Sequence, residues 1–128
     1  VHLHVGDLGV AARFYHETLG FDKVVWNYPG ALFLSAGGYH HHVGTNTWAR
    51  GAEPAHENEA RLLEWSIELP SADDVVALAA SASARGVEVR TTGDSLLLRD
   101  PWGTEVRVRP APSSGVFKGS ESLKHQRL

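Results

Sequence analysis

Ala31-Leu-Phe-Leu-Ser-Ala-Gly-Gly38 and Ser95-Leu-Leu-Leu-Arg-Asp-Pro-Trp-Gly103 decide the fold, because each is an apolar run closed by turn residues at the same point of a repeated series. Before the first, Val1, Leu3 and Val5 alternate with His2 and His4 as in a strand, and Asp7 can cap a helix over Leu8–Leu19. Its apolar stripe is Ala11, Phe14, Tyr15 and Leu19, and Gly20 stops it. Three strands follow, Lys23–Tyr28, Ala31–Ala36 and Tyr39–Thr47, separated by Pro29-Gly30 and Gly37-Gly38. Ala49–Ala60 has no period and reads as a surface linker. Then the series restarts. Leu63, Trp65, Ile67 and Leu69 alternate with polar residues, and Ser71 with Asp74 resembles a capping box. Val75, Leu78, Ala79 and Ala82 line a helix ended by Gly86, and Val87–Thr91, Ser95–Arg99 and Thr104–Pro110 are three more strands. The expected fold is α+β: two tandem βαβββ modules, about 1–48 and 61–110, forming a curved mixed-sheet cup with helices on its outer face. Residues 111–128, rich in Ser, Gly, Lys and Pro, are expected to be a disordered tail.

The 128 residues suit one domain, and 42% hydrophobic with 21% charged residues is an ordinary globular composition. Twelve Lys and Arg against 15 Asp and Glu leave a formal charge of −3, so no basic field exists for a nucleic-acid partner. No apolar run reaches the ~20 residues of a membrane span, and no signal peptide opens the chain; a soluble, cytoplasmic protein is expected. Without cysteine, disulfides and thiolate metal sites are excluded, so any metal must be held by His, Asp or Glu. The chain has no Met and begins at Val1 inside a strand, which reads as a fragment of a longer protein.

If the apolar face of each strand packs on the helices, the polar face lies opposite. That places His2 and His4, His40 and His42, Glu64, Ser66 and Glu68, and Glu105 and Arg107 on one surface, which becomes a single cup if the modules pair edge to edge. By the same parity His41 points the other way and has a structural role. His16 and His56 are expected to be solvated surface residues. Imidazoles and carboxylates together suit Fe(II), Mn(II), Zn(II) or Ni(II). Leu3, Phe14, Trp65, Ile67, Leu78 and Val106 should share the core.

Val-His-Leu-His-Val-Gly-Asp-Leu with Ala-Arg-Phe-Tyr-His-Glu-Thr-Leu-Gly-Phe, residues 1–8 and 12–21, resembles the opening module of the vicinal oxygen chelate superfamily. That superfamily includes glyoxalase I, bleomycin-resistance proteins and extradiol dioxygenases. Residues 31–48, Ala-Leu-Phe-Leu-Ser-Ala-Gly-Gly-Tyr-His-His-His-Val-Gly-Thr-Asn-Thr-Trp, are similar to the C-terminal domain of CatE-like catechol 2,3-dioxygenases, and Asp100-Pro-Trp-Gly103 matches the last hairpin. The resemblance implies one metal ligand immediately before Val1 and a second-module equivalent at Glu64. Seven residues after Asp100 it implies a carboxylate, where this chain has Arg107, whose first-module counterpart is approximately His42. Arg107 departs from the pattern, because guanidinium stays protonated.

Three functions follow from the resemblance. The first is a domain of an extradiol-type ring-cleaving dioxygenase, with His42 and Glu64 as ligands to Fe(II) or Mn(II) and a small catechol-like aromatic substrate. In it His4 or His40 is the acid/base, and His2, Tyr39, Trp48 and Arg107 contact substrate. The second is a noncatalytic fold without metal that binds an aromatic ligand near Trp48, Trp65 or Tyr39. A glyoxalase-type isomerase ranks third, since both expected carboxylate positions are replaced. Edge strands left by two such modules suit a second domain or a homodimer partner.

Overall fold

A computed structural model describes residues 1–25, 27–53 and 55–112. The order is β1 His2–His4, α1 Leu8–Ala11 continued by a π-helical segment Ala12–Thr18, β2 Asp22–Val25, β3 Ala31–Ser35 and β4 Val43–Asn46; then β5 Glu64–Leu69, α2 Ala72–Ala84, β6 Val89–Thr92, β7 Ser95–Arg99 and β8 Glu105–Pro110. The α+β duplication holds. Each module is a mixed four-stranded sheet, β1-β4-β3-β2 and β5-β8-β7-β6, with the outer strand parallel to its neighbour and the other pairs antiparallel.

Both helices begin as the sequence dictates. The Asp7 carboxylate accepts from the Val10 N–H at 2.8 Å, and Ser71 Oγ accepts from the Asp74 N–H at 3.2 Å, each meeting one donor the first helical turn cannot satisfy. The first helix departs from expectation after Ala11, where its turns widen. The Leu19 N–H reaches back five residues to the Phe14 carbonyl, and Thr18 Oγ1 donates to the Arg13 carbonyl. Within this wider coil the sequence neighbours Phe14 and Tyr15 are both buried, their rings edge to face at 4.9 Å.

One core serves both modules. Leu3, Val5, Phe14, Tyr15, Leu34 and Val43 from the first pack with Val75, Ala82, Leu96, Leu98, Val106 and Val108 from the second. Trp65 on β5 lies 6.3 Å from Tyr15 and 6.5 Å from Phe21, with Ile67 and Leu78 packed beside the core. Tyr15 also donates its hydroxyl to the Asp100 carboxylate at 2.6 Å, and Asp100 accepts the Trp102 and Thr104 N–H groups of the last hairpin at 2.9 Å each. Burial, reinforced by the Asp100 carboxylate, pushes the Tyr15 phenol far above its ordinary range, so it stays a donor.

The modules are joined by this core and not by edge pairing: among the described residues no ladder links the two sheets. The predicted strand Tyr39–Thr47 shortens to Val43–Asn46, because Gly37 and Gly38 both adopt positive φ and the chain beyond them swings wide before pairing. The β5–β8 ladder runs on to Ala111, whose N–H donates to the Leu69 carbonyl at 2.7 Å, so the ordered fold passes the expected start of the tail by a residue. The rest of that expected tail, residues 113–128, lies outside the described residues.

Candidate ligand site on the first sheet

On the face of the first sheet away from the helices, His2 and His4 project from β1 opposite Gly44 and Asn46 of β4. Asn46 is buried although polar, and both ends of its amide are engaged. Its Oδ1 lies 2.9 Å from His4 Nδ1 and accepts the Trp48 N–H at 3.1 Å, while its Nδ2 lies 2.7 Å from His2 Nε2. The His2 ring lies over Gly44, where a Cβ would come within 3.2 Å of it. Around this clamp the rings form a continuous surface: His2 is 5.9 Å from Trp48 and 6.2 Å from Phe33, Tyr28 is 5.8 Å from Phe33, and His41 is 5.1 Å from Phe33. Trp48 is held by its Nε1–H donating to the Pro29 carbonyl at 3.3 Å and by contact with Gly30, a turn residue at φ +69°.

His41 is therefore on the ring surface, against the expectation that it points away. Parity fails here because Tyr39–His42 is irregular and not strand, so successive side chains need not alternate. Partial desolvation lowers the His41 pKa, with His40, the N-terminal ammonium, His2 and His42 adding repulsion. The His40 ring lies 4.1 Å from that of Tyr39, tilted by 50°, and Tyr39 also meets His42 at 4.8 Å. His42 turns its Nδ1 to the Ala36 N–H at 3.2 Å, bracing the β3–β4 connection.

The corresponding face of the second sheet carries ion pairs. Arg107 donates to both oxygens of Glu64 at 2.8 Å, Arg109 pairs with Glu68 at 2.6 Å, and Arg90 and Arg99 share Glu105 Oε1 at 2.6 and 2.8 Å. The Arg107 hydrogen bonds hold the Glu64 carboxyl below its usual range, and those from Arg99 and Arg90 do the same for Glu105. Glu64 and His42 thus have other partners, and among the described residues no group of three or more His, Asp or Glu is arranged to hold a metal.

Strand register also revises one equivalence. His2 and Ser66 each lie five residues before a helix cap, and they stand opposite Gly44 and Arg107 respectively. Gly44 is therefore the counterpart of Arg107, and His42 falls two residues short of it. Asn46, Phe33 and Tyr28 were missed by sequence reasoning. A legible signal did exist in Gly44, Asn46 and Trp48, which share one strand parity beside the His2/His4 parity of β1.

Two βαβββ modules around one core, with a ring-lined sheet face, define a class that the comparisons identify. The chain belongs to the Glyoxalase/Bleomycin resistance protein/Dioxygenase superfamily, whose family model matches residues 1–108. It is 43% identical over 104 residues to a catechol-2,3-dioxygenase of Bacillus subtilis (strain 168), a match covering 79% of this chain and 36% of that protein. The chain thus spans about a third of the length of this relative. Similar solved structures include lactoylglutathione lyase from Agrobacterium tumefaciens, at TM-score 0.62 and 18% identity over 86% of this chain and 90% of that one. TnmS3, an antibiotic binding protein from Streptomyces sp. CB03234, gives TM-score 0.64 and 23% identity over 88% and 93%. These two show the fold alone.

Proposed function

We propose that this chain is the domain of an extradiol-type, catechol-2,3-dioxygenase-like protein that receives the aromatic ring, and that it does so on the first sheet. One observation carries this reading: the His2–Asn46–His4 clamp sits within the Phe33, Tyr28 and Trp48 rings, while the second sheet's equivalent positions are engaged by ion pairs. A catechol offers an aromatic face for stacking and a hydroxyl that can donate to an unengaged imidazole nitrogen, and the rings with His4 are complementary to both. The relative at 43% identity supports the same substrate class. The outer edges of β1 and β5, each paired on one side among the described residues, are the strands we assign to contact with a second domain or a second copy.

The residues present do not fit a divalent metal at His42 and Glu64. The Glu64 oxygens are both held by a guanidinium, and that fixed positive charge opposes a cation. This favours a second reading, a domain of the same fold that binds aromatic ligands without metal. Titration with Fe(II) or Mn(II), using the protein beside its His42→Ala and Glu64→Ala variants, decides between them. Affinity lost in either variant, with catechol ring opening lost in parallel, supports a metal at those residues. Equal affinity in all three removes that site. Independently, catechol titration followed by NMR should shift His2, Phe33 and Trp48 resonances and leave those of Glu64 and Arg107 unmoved. The reverse would overturn the assignment to the first sheet.

A further inference from the structure

The geometry points to Asn46 as a positioning residue whose amide dictates which ring nitrogens of His2 and His4 carry protons, leaving the His4 Nε2 lone pair open toward the ligand face. The functional meaning rests on the first sheet receiving the ligand; the proton arrangement itself belongs to the protein without ligand.

The argument starts from a group with no freedom. The Trp48 backbone N–H can only donate, so the Asn46 atom 3.1 Å away is the carbonyl oxygen, and the orientation of the amide is settled. That oxygen can only accept, so His4 Nδ1, 2.9 Å from it, bears a hydrogen. A neutral imidazole has one N–H, and His4 Nε2 is therefore a lone pair. Among the described residues no hydrogen bond engages it. At the other end of the amide, Nδ2 can only donate, so His2 Nε2, 2.7 Å away, is unprotonated and its hydrogen is on Nδ1. Both rings hold the same tautomer with opposite consequences. The acceptor of His2 is consumed by Asn46, and the acceptor of His4 remains free.

Two further features keep the amide from turning over. Asn46 is buried, and it is directly opposite His4 in the parallel β1–β4 register with His2 two residues away on the same face. A flipped amide would aim its NH₂ at the Trp48 N–H and leave a buried donor facing a donor, which hydrogen-bonded interiors avoid. The face consequently discriminates by hydrogen-bond polarity: a ligand hydroxyl that donates is received at His4 Nε2.

The test is side-chain nitrogen NMR on isotopically labelled protein at neutral pH, with His2→Gln and His4→Gln variants assigning the signals. The expected result is the Nδ1–H tautomer at both residues. In Asn46→Asp, which preserves shape and the bond to the Trp48 N–H, both ends of residue 46 accept, so His2 should gain a proton on Nε2 while His4 keeps Nδ1–H. Asn46→Leu should release both rings to a mixture of tautomers; if that variant does not fold, Asn46→Asp still decides. An Nε2–H tautomer at His2 in the parent, or a His2 unmoved by Asn46→Asp, would overturn the assignment. Tautomers as stated, in a protein whose His and Trp48 signals ignore catechol, would sustain Asn46 as the positioning residue and refute the ligand reading instead.

Discussion

The helix-free faces of the two sheets are laid on the same backbone plan and carry opposite chemistry. In both, an outer strand runs parallel to the strand at the end of its own module, and alternate residues of the pair point away from the helices. On the first sheet those positions hold His2, His4, Gly44 and Asn46, joined by an amide clamp and surrounded by rings. On the second they hold Ser66 and five charged residues, Glu64, Glu68, Glu105, Arg107 and Arg109, which are closed into ion pairs. Gly44, at the position equivalent to Arg107, shows how one residue changes a face: the absent Cβ lets an imidazole lie flat on the strand, where on the second sheet a guanidinium reaches across to a carboxylate. Duplication fixes where side chains point, and the residues at those points decide whether the surface satisfies itself in ion pairs or leaves an imidazole nitrogen unengaged among the described residues.

The comparison breaks most severely if the shared core is damaged. Trp65→Ala should destabilise the protein by about 3–5 kcal/mol, the range for truncating a large core aromatic, read by chemical denaturation. A loss under about 1 kcal/mol would mean that Trp65 is not a core residue and that the faces are not held by a common interior. Trp65→Phe should cost much less, since the Trp65 Nε1 is buried without a hydrogen-bond partner among the described residues and the smaller ring removes that donor.

Next in size is the link between modules. Tyr15→Phe removes the hydroxyl donated to Asp100 and should cost about 1.5–3 kcal/mol, as for a hydrogen bond to a charged group. Its pH dependence gives a second check. The folded phenol titrates above its unfolded value of about 10, so its contribution is complete below about pH 10 and declines as the pH rises further, because the unfolded chain loses its proton first. Equilibrium unfolding at alkaline pH should show this decline in the parent, and Tyr15→Phe should lack the part due to Tyr15.

Gly30→Ala sharpens the contrast between faces. A residue with a Cβ at φ +69° is strained by about 1–2 kcal/mol, and that Cβ would meet the Trp48 ring at 3.1 Å. Catechol-induced shifts on the first sheet should weaken, with the second sheet's resonances unchanged. Arg107→Gln should have the smallest effect. Exposed ion pairs contribute little, so the melting temperature should barely move, and binding to the first sheet should persist. A large loss of aromatic binding in this variant would mean that the two faces form one site.

Much of the fold was legible because it depends on local periodicity. Alternation in β5, helical spacing from Ala11 to Leu19, the Asp7 and Ser71 caps and the glycine turns all act over a few residues, and they predicted the two modules in order. The widened turns after Ala11 were not legible, since they answer to the burial of both Phe14 and Tyr15 against another module. The site was legible in part. His2 and His4 could be placed on one face by parity, and Trp48 was among the residues named for an aromatic ligand. Parity failed at Tyr39–His42, where two positive-φ glycines end the strand and no alternation operates.

By itself the sequence determined the duplication, the apolar faces and the absence of thiol chemistry, because each follows from residue type and short-range spacing. Only the tertiary structure decided the partners of the polar residues. Glu64 could have been a ligand or half of an ion pair until Arg107 came within 2.8 Å of both its oxygens, and Asn46 was one more polar strand residue until β1 brought one imidazole to each end of its amide. A hydrogen bond or ion pair needs approach to within about 3 Å of a specific atom. Between residues more than forty positions apart in the chain, only the packed fold sets that distance.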